Sequence, residues 1–428
     1  MPYFKQLSDA IHTPATTIDY SQFVVEDVGD TFLPSTVTKE DLNFIKPNSP
    51  LVSVDAGLMS VAQISNLQNP KENMITCRDK KQSALVISDS GGFSAARDIV
   101  DMNRQFIEES FAFSKNYIDI AIAGDIPTFA VEQKTSVIYK TFDDCLQTTV
   151  GALEIIKELN QAQQEPVKFL NVIQGATQAE GDIWYEDIKQ YDCFGYAISG
   201  IQRDSVKYLL IRMLALIAGG KFNRDETWLH FLGVGNLTYA VLLTVLLDAL
   251  RARFPKLALN ISYDSSTAFT MNPKSGDFYT DIDLSDNWTI NKDKVVVKDW
   301  VDSNKTFPSQ SSAVSKIITE GNVVISDPYG KPTMYESGKC LIANHNLGVQ
   351  MNAIKQANDR LRKGEHENNL AKYLPDTLIK ARKVIWDVIT EKDPKKAEAL
   401  LYNHSDNLRA LDDVSKVVNK TKAPRAKK

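Results

Sequence analysis

The segment ALVISDSGGF (residues 84–93) joins an apolar, β-branched run to a carboxylate, a serine and two glycines. Val86, Ile87 and their neighbours read as a buried strand, and the glycine pair lets the backbone turn tightly and approach a ligand. A plainer reading has Asp89 or Ser90 capping the helix that follows. The segment does not stand alone, however. Six more runs share its character: LVSVDAG (51–57), YIDIAIAGD (117–125), KFLNVIQG (168–175), FGYAISG (194–200), WLHFLGVG (228–235) and LALNISYD (257–264). Runs that are apolar on both faces and separated by helical patterns predict parallel strands in an α/β fold.

The intervening helices are legible too. Phe142, Leu146, Leu153 and Ile156 recur at helical spacing. Asp204 is placed to cap a helix from Val206 to Ile217 that stops at Gly219-Gly220, and Asn236 to open one that ends before Pro255. With SQFVVEDVGD (21–30) as an eighth strand, residues 1–272 predict a (β/α)8 TIM-like barrel, least defined over 1–50. A doubly wound open sheet is the alternative.

Beyond Asp264 the pattern changes. Residues 273–345 are rich in Asp, Lys, Ser and Pro and read as a small β-containing insertion, with KVVVKDW (294–300) and NVVISDPYG (322–330) as strand-like pieces. Residues 346–415 form a helical C-terminal region, and 416–428 a basic tail; no repeat of 20 to 50 residues is visible.

At 428 residues, 43% hydrophobic and 24% charged, the chain has the composition of a soluble globular protein. It opens with no basic, apolar leader, and its longest apolar runs are broken by Arg212, Thr244 and Asp248, so the expectation is a cytoplasmic protein with no membrane partner. Cys77, Cys145, Cys193 and Cys340 lack CxxC spacing, which argues for reduced thiols over a disulfide framework or zinc ribbon. The net charge of −5 hides a tail with six basic and no acidic residues; the rest carries 43 basic against 54 acidic, a balance of −11. Such a tail is either a solvated end or a sequence-blind hold on a polyanion.

In a parallel barrel, chemistry sits where strands end. There stand Asp89-Ser90-Gly91-Gly92-Phe93, Gly124-Asp125, Gln174-Gly175, Ser199-Gly200-Ile201, Gly233-Val234-Gly235 and Asp264-Ser265. Paired carboxylates suit displacement at an anomeric carbon, one attacking while the other manages the leaving group's proton. A carboxamide, a carboxylate and glycine backbone suit a purine edge, and Phe93 its face. His230 lies mid-strand and reads as a packed residue, which disfavours Ser/His/Asp or Cys/His catalysis.

DSGGF (89–93), Asp125 in AGDIPT, VIQG (172–175), GYAISGI (195–201), LGVGN (232–236), Asp264 in ISYDSS and HNL (345–347), in this order, resemble the tRNA-guanine transglycosylase superfamily. The resemblance covers residues 80 to 350 and implies a barrel that exchanges guanine in nucleic acid for a 7-deazaguanine through a covalent intermediate. It implies Asp264 as nucleophile and Asp89 as general acid/base. Asp125, Gln174 and backbone groups of Gly200 and Ile201 would read the base; Phe93 and Leu232 would sandwich it, with Ser90 beside them.

Two departures from the family pattern stand out. Where members acting on tRNA carry an arginine-containing stretch after the nucleophile, SSTAFTMN (265–272) has none. Of the family's CxCxxC-plus-His zinc set only His345 is matched, with Cys340 nearby, so no metal or other cofactor is expected and the insertion stands in place of the zinc subdomain. The pattern resembles the DpdA-like DNA-guanine transglycosylases. It implies DNA as partner, a base such as 7-cyano-7-deazaguanine as small substrate, a role in evading restriction, and a bacterial or phage-infected cytoplasm. Helper proteins or a homodimer are possible partners. The alternatives are a tRNA-guanine transglycosylase and a non-catalytic nucleic-acid-binding subunit.

Overall fold

Eight strands lie side by side, all parallel, in the spatial order β1-β8-β7-β6-β5-β4-β3-β2. They are β1 (Ile11–Pro14), β2 (Ala56–Ser60), β3 (Leu85–Asp89), β4 (Ile120–Ile122), β5 (Phe169–Ile173), β6 (Gly195–Ile198), β7 (Glu226–Phe231) and β8 (Ala258–Ser265). The computed structural model describes residues 4–26, 32–285, 288–404 and 408. The sheet curls until its edge strands meet: Ala15 bridges Leu58, and the Thr16 N–H donates to the Leu58 carbonyl at 3.0 Å. The result is a nearly closed, TIM-like barrel.

Strand alternation then decides what fills it. Ile11, Leu58, Ile87, Leu170, Val172 and Trp228 form one interior cluster, separate from the layer between barrel and helices. Counting onward by twos from these residues along each strand reaches Ser60, Asp89, Gln174 and Leu232, and Asp264 lies two residues beyond Ser262, whose Oγ meets the Trp228 indole of that cluster. The apolar interior therefore ends in a polar mouth at the C-terminal ends of the strands.

The first strand is not the one expected. Of the segment 21–30, residues Ser21–Phe23 end a short helix (Ile18–Phe23) capped by Thr17, and 27–30 lie outside the described residues. The eighth strand is Ile-His-Thr-Pro (11–14), whose His12 and Thr13 disguise it, since it is held by its register on β8 more than by its own hydrophobicity. Likewise β2 begins at Ala56, where the expectation was 51–57.

Helices cross between the strands with the caps their sequences provide. Helix α1 (Arg104–Tyr117) starts on Asn103, α2 (Phe142–Gln161) on a Thr141–Asp144 capping box and α3 (Gln178–Ile188) on a Thr177–Glu180 box. Helix α4 (Val206–Ala218) has Ser205 as its N-cap, not Asp204, because Asp204 still belongs to the one-turn helix Ile201–Asp204. Helix α5 (Leu237–Arg253) is capped by Asn236, as expected, and is apolar nearly all round. That apolarity serves burial: α5 packs between the barrel and the C-terminal helices α6 (Glu336–His366) and α7 (Asp376–Thr390). Among the described residues no helix is long and apolar enough to cross a membrane. Arg362 ties the layers together by pairing with Asp9, Asp248 and Glu365.

Between barrel and C-terminal helices lies the β-containing insertion. Its main element is an antiparallel hairpin, β9 (Asp277–Asp283) with β10 (Thr289–Lys294). KVVVKDW contributes only Lys294 to a strand, and Val297–Trp300 turn as a helix that buries Trp300. Helix α6 begins at Glu336, so the 345/346 division falls inside it. The basic tail 416–428 lies outside the described residues.

Candidate active site

The DSGGF turn explains itself in the fold. Gly91 holds φ at +82°, and a Cβ on Gly92 would sit 2.3 Å from the Asp125 carbonyl oxygen and 2.8 Å from its Oδ1. Only glycine lets this turn close onto the end of β4. The turn's serine then reaches across: Ser90 Oγ donates to Asp125 Oδ1 at 2.6 Å and accepts the Gly92 N–H at 3.0 Å.

Asp125 is buried and held from its other side as well. Gln174 Nε2 donates to Asp125 Oδ2 at 2.9 Å and to the Ile126 carbonyl at 3.1 Å, while Gln174 Oε1 accepts the Thr128 N–H at 3.2 Å. Gln174 therefore orients Asp125 through a saturated amide. Burial pushes the Asp125 carboxyl up to about 7; the Ser90 and Gln174 hydrogen bonds pull against that, and the Asp89 charge adds to it.

Asp89, half-buried at the end of β3, accepts the Ser90 N–H at 2.8 Å. Burial and then the charge of Asp264 push its carboxyl up to about 6. A group so poised exchanges protons near neutral pH. Asp264, at the end of β8, is 9% exposed, and its Oδ1 accepts the Gly233 N–H at 2.8 Å. The structure thus brings Asp89, Ser90, Asp125, Gln174 and Asp264 to one mouth.

The remaining expected residues frame it. Phe93 is 57% exposed, with the Arg97 guanidinium 3.7 Å from its ring centroid and Phe129 at 5.3 Å. Leu232 packs on the barrel interior. Gly200, at φ +59°, lies so close to Gly175 that a Cβ would meet its carbonyl oxygen at 2.4 Å, and the Ile201 N–H donates to that carbonyl at 2.9 Å. The Ile201 amide is thereby satisfied within the protein.

Two neighbours escaped the sequence reading. The sequence makes His230 a packed residue, and it is fully buried, yet its Nε2 stands 3.3 Å from Asp264 Oδ1. Alternation held the signal, because residue 230 shares the inward face of 228 and 232. Arg203 donates from Nη1 to the Leu232 carbonyl at 3.1 Å and pairs with Asp204. No spacing rule marks it, since the one-turn helix Ile201–Asp204 after β6 brings it there.

A zinc set of the kind the transglycosylase resemblance implies would need a free nitrogen on His345. Its Nε2 faces the Tyr279 carbonyl at 2.6 Å, so that nitrogen carries the proton, and Nδ1 accepts from Ser312 Oγ at 2.8 Å. Burial holds this imidazole down to about 4, so it stays neutral. Among the described residues no group of three or more His, Cys, Asp or Glu gathers as a metal-holding set. These residues do not fit a zinc site. Around His345 the insertion packs on aromatic rings instead: Phe307 lies 4.9 Å from the imidazole, 5.0 Å from Phe278 and 5.6 Å from Trp300. No protein-family model matches the sequence, and no curated protein does.

Proposed function

We propose that this chain is a DNA-guanine transglycosylase that exchanges guanine in DNA for a 7-deazaguanine such as 7-cyano-7-deazaguanine. The observation that carries the reading is the convergence of two distinct carboxylates, Asp264 and Asp89, with the Ser90–Asp125–Gln174 network at one barrel mouth. Asp264 attacks C1′ of a guanine nucleotide, forming a glycosyl ester as the bond to guanine breaks. The bonding electrons leave with the base, and Asp89 supplies its proton. The incoming 7-deazaguanine returns a proton to Asp89, and its ring nitrogen displaces Asp264 from C1′. Bonds broken and formed balance, so no nucleotide triphosphate is required.

Asp125, oriented by Ser90 and Gln174, accepts N–H groups of the purine, and Phe93, exposed but with Arg97 over one side of its ring, offers the other side to the purine's face. The preference for DNA rests on SSTAFTMN. That stretch runs into the helix Thr267–Ser275 and turns Phe269 inward, its ring 4.9 Å from Tyr20 and 5.5 Å from Phe44. A helix that turns Ala268, Phe269 and Met271 inward and carries no cation before Lys274 is poorly suited to hold flanking uridines. A duplex base must be flipped out, at a cost of a few kcal/mol, to reach this mouth.

The test is base exchange with purified protein, guanine-containing DNA or tRNA, and 7-cyano-7-deazaguanine, read by nucleoside mass spectrometry. Modified deoxynucleoside is the expected product. Modified ribonucleoside alone would move the chain to the tRNA-acting enzymes, and no exchange into either would overturn the reading.

A further inference from the structure

We infer that His230 is a positioning residue for the nucleophile proposed above, and that Asp264 attacks through Oδ2. The inference rests on the transglycosylase reading and on a run of buried hydrogen bonds beneath the mouth. Trp228 Nε1 lies 2.7 Å from Ser262 Oγ, Ser262 Oγ lies 2.7 Å from His230 Nδ1, and His230 Nε2 lies 3.3 Å from Asp264 Oδ1. All four side chains descend one inward-facing column of β7 and β8, where His230 stands in register with Ser262.

The proton inventory orders the chain in one direction. An indole only donates, so Ser262 Oγ accepts from Trp228. An ionised carboxylate only accepts, so the proton facing Asp264 belongs to His230 Nε2. Ser262 Oγ, already accepting from the indole, gives its own proton to His230 Nδ1, which therefore presents the ring's lone pair. Each N–H and O–H proton of the run then has one acceptor, and reversing any bond leaves a donor against a donor or a buried acceptor unpaired.

The consequence falls on the two carboxylate oxygens. Asp264 Oδ1 accepts from both the Gly233 N–H and His230, whereas Oδ2 accepts no hydrogen bond among the described residues. Oδ1 is anchored from below and from the β7 loop, so Oδ2 is the oxygen left for the anomeric carbon. A carboxylate pinned at one oxygen has its rotation about the Cβ–Cγ bond fixed in advance, and misplacement by about 1 Å costs about 100-fold in rate.

Two measurements test this. Long-range 1H–15N spectra of protein labelled in its five histidines, with His230 assigned by substitution, should show the Nε2–H tautomer. The Nδ1–H tautomer would overturn the inference whatever the activity. In single-turnover assays with guanine-containing DNA, His230→Leu should slow covalent adduct formation about 100-fold while leaving DNA affinity unchanged. His230→Gln, which can set an amide N–H where Nε2 stood, should recover most of that loss. Equal impairment of both variants, or wild-type adduct rates in His230→Leu, would reduce His230 to packing. Failure of the transglycosylase reading itself shows separately, as wild-type protein that forms no adduct before any substitution is made.

Discussion

The three carboxylates at the mouth share a residue type and differ in role because their surroundings differ. Asp264 is anchored by hydrogen-bond donors at one oxygen, Asp125 by two side chains on two oxygens, and Asp89 by the Ser90 N–H and the Ser60 side chain beside the charge of Asp264. Asp264→Asn should therefore bind DNA normally and form no covalent adduct, as denaturing gels of enzyme mixed with guanine-containing DNA will show; normal exchange by that variant would sink the mechanism. Asp89 makes a prediction with two signs. Its native carboxyl sits at about 6, above the ordinary 3.8, so the folded state holds the extra proton between those values and loses stability as pH rises through them. Asp89→Asn escapes that loss and should be more stable than wild type by of order 2 kcal/mol near pH 8, with little difference near pH 3. Guanine release should fall above about pH 6 in wild type, because the acid must arrive protonated, and should be abolished in the variant. Thermal melts across pH and single-turnover rates check the two halves.

At the scale of elements, the turn after β3 matters most. Gly92 lies against Asp125 with no room for a methyl group, so Gly92→Ala should push the turn off Asp125 and break the Ser90 contact. Overpacking of this kind costs about 1–3 kcal/mol. The functional loss should be larger than the loss of stability: exchange falling at least tenfold, with Tm lowered by only a few degrees. A variant that melts early but exchanges normally would show that the turn is not what sets Asp125. The insertion offers a second case. Phe307 is 1% exposed at the centre of the ring cluster, so Phe307→Ala should cost about 3–5 kcal/mol and open residues 277–335 to limited proteolysis before the barrel.

For the whole molecule, barrel, insertion and C-terminal helices are held by packing and by polar ties such as Arg362 to Asp9 and Asp248. His345 and Asn346, on α6, both fasten Tyr279 of β9: His345 through its carbonyl and Asn346 through its N–H, at 2.9 Å. Prolonged dialysis against a strong chelator should accordingly leave Tm unchanged, since neither nitrogen of His345 is available to a metal. A marked fall in Tm would reopen the metal question.

The amino-acid sequence alone determined the repeating strands of the barrel and the carboxylates that end them. Apolar β-branched runs, glycine turns and capping residues are local signals, written within ten residues of where they act. Asp89, Asp125, Gln174 and Asp264 were legible because each stands directly after such a run. The tertiary structure alone decided what lies between elements distant in sequence. Strand β1 was hidden because its stability comes from pairing with β8, some 250 residues on, with Thr13 in register with Asp264. The hairpin β9–β10 was hidden because half of it faces solvent and has no apolar pattern. His230 became a neighbour of Asp264, and Gln174 a clamp on Asp125, only when barrel closure set the register of separate strands. Alternation assigns a side chain to a face, but only the register across strands says which side chain it meets there.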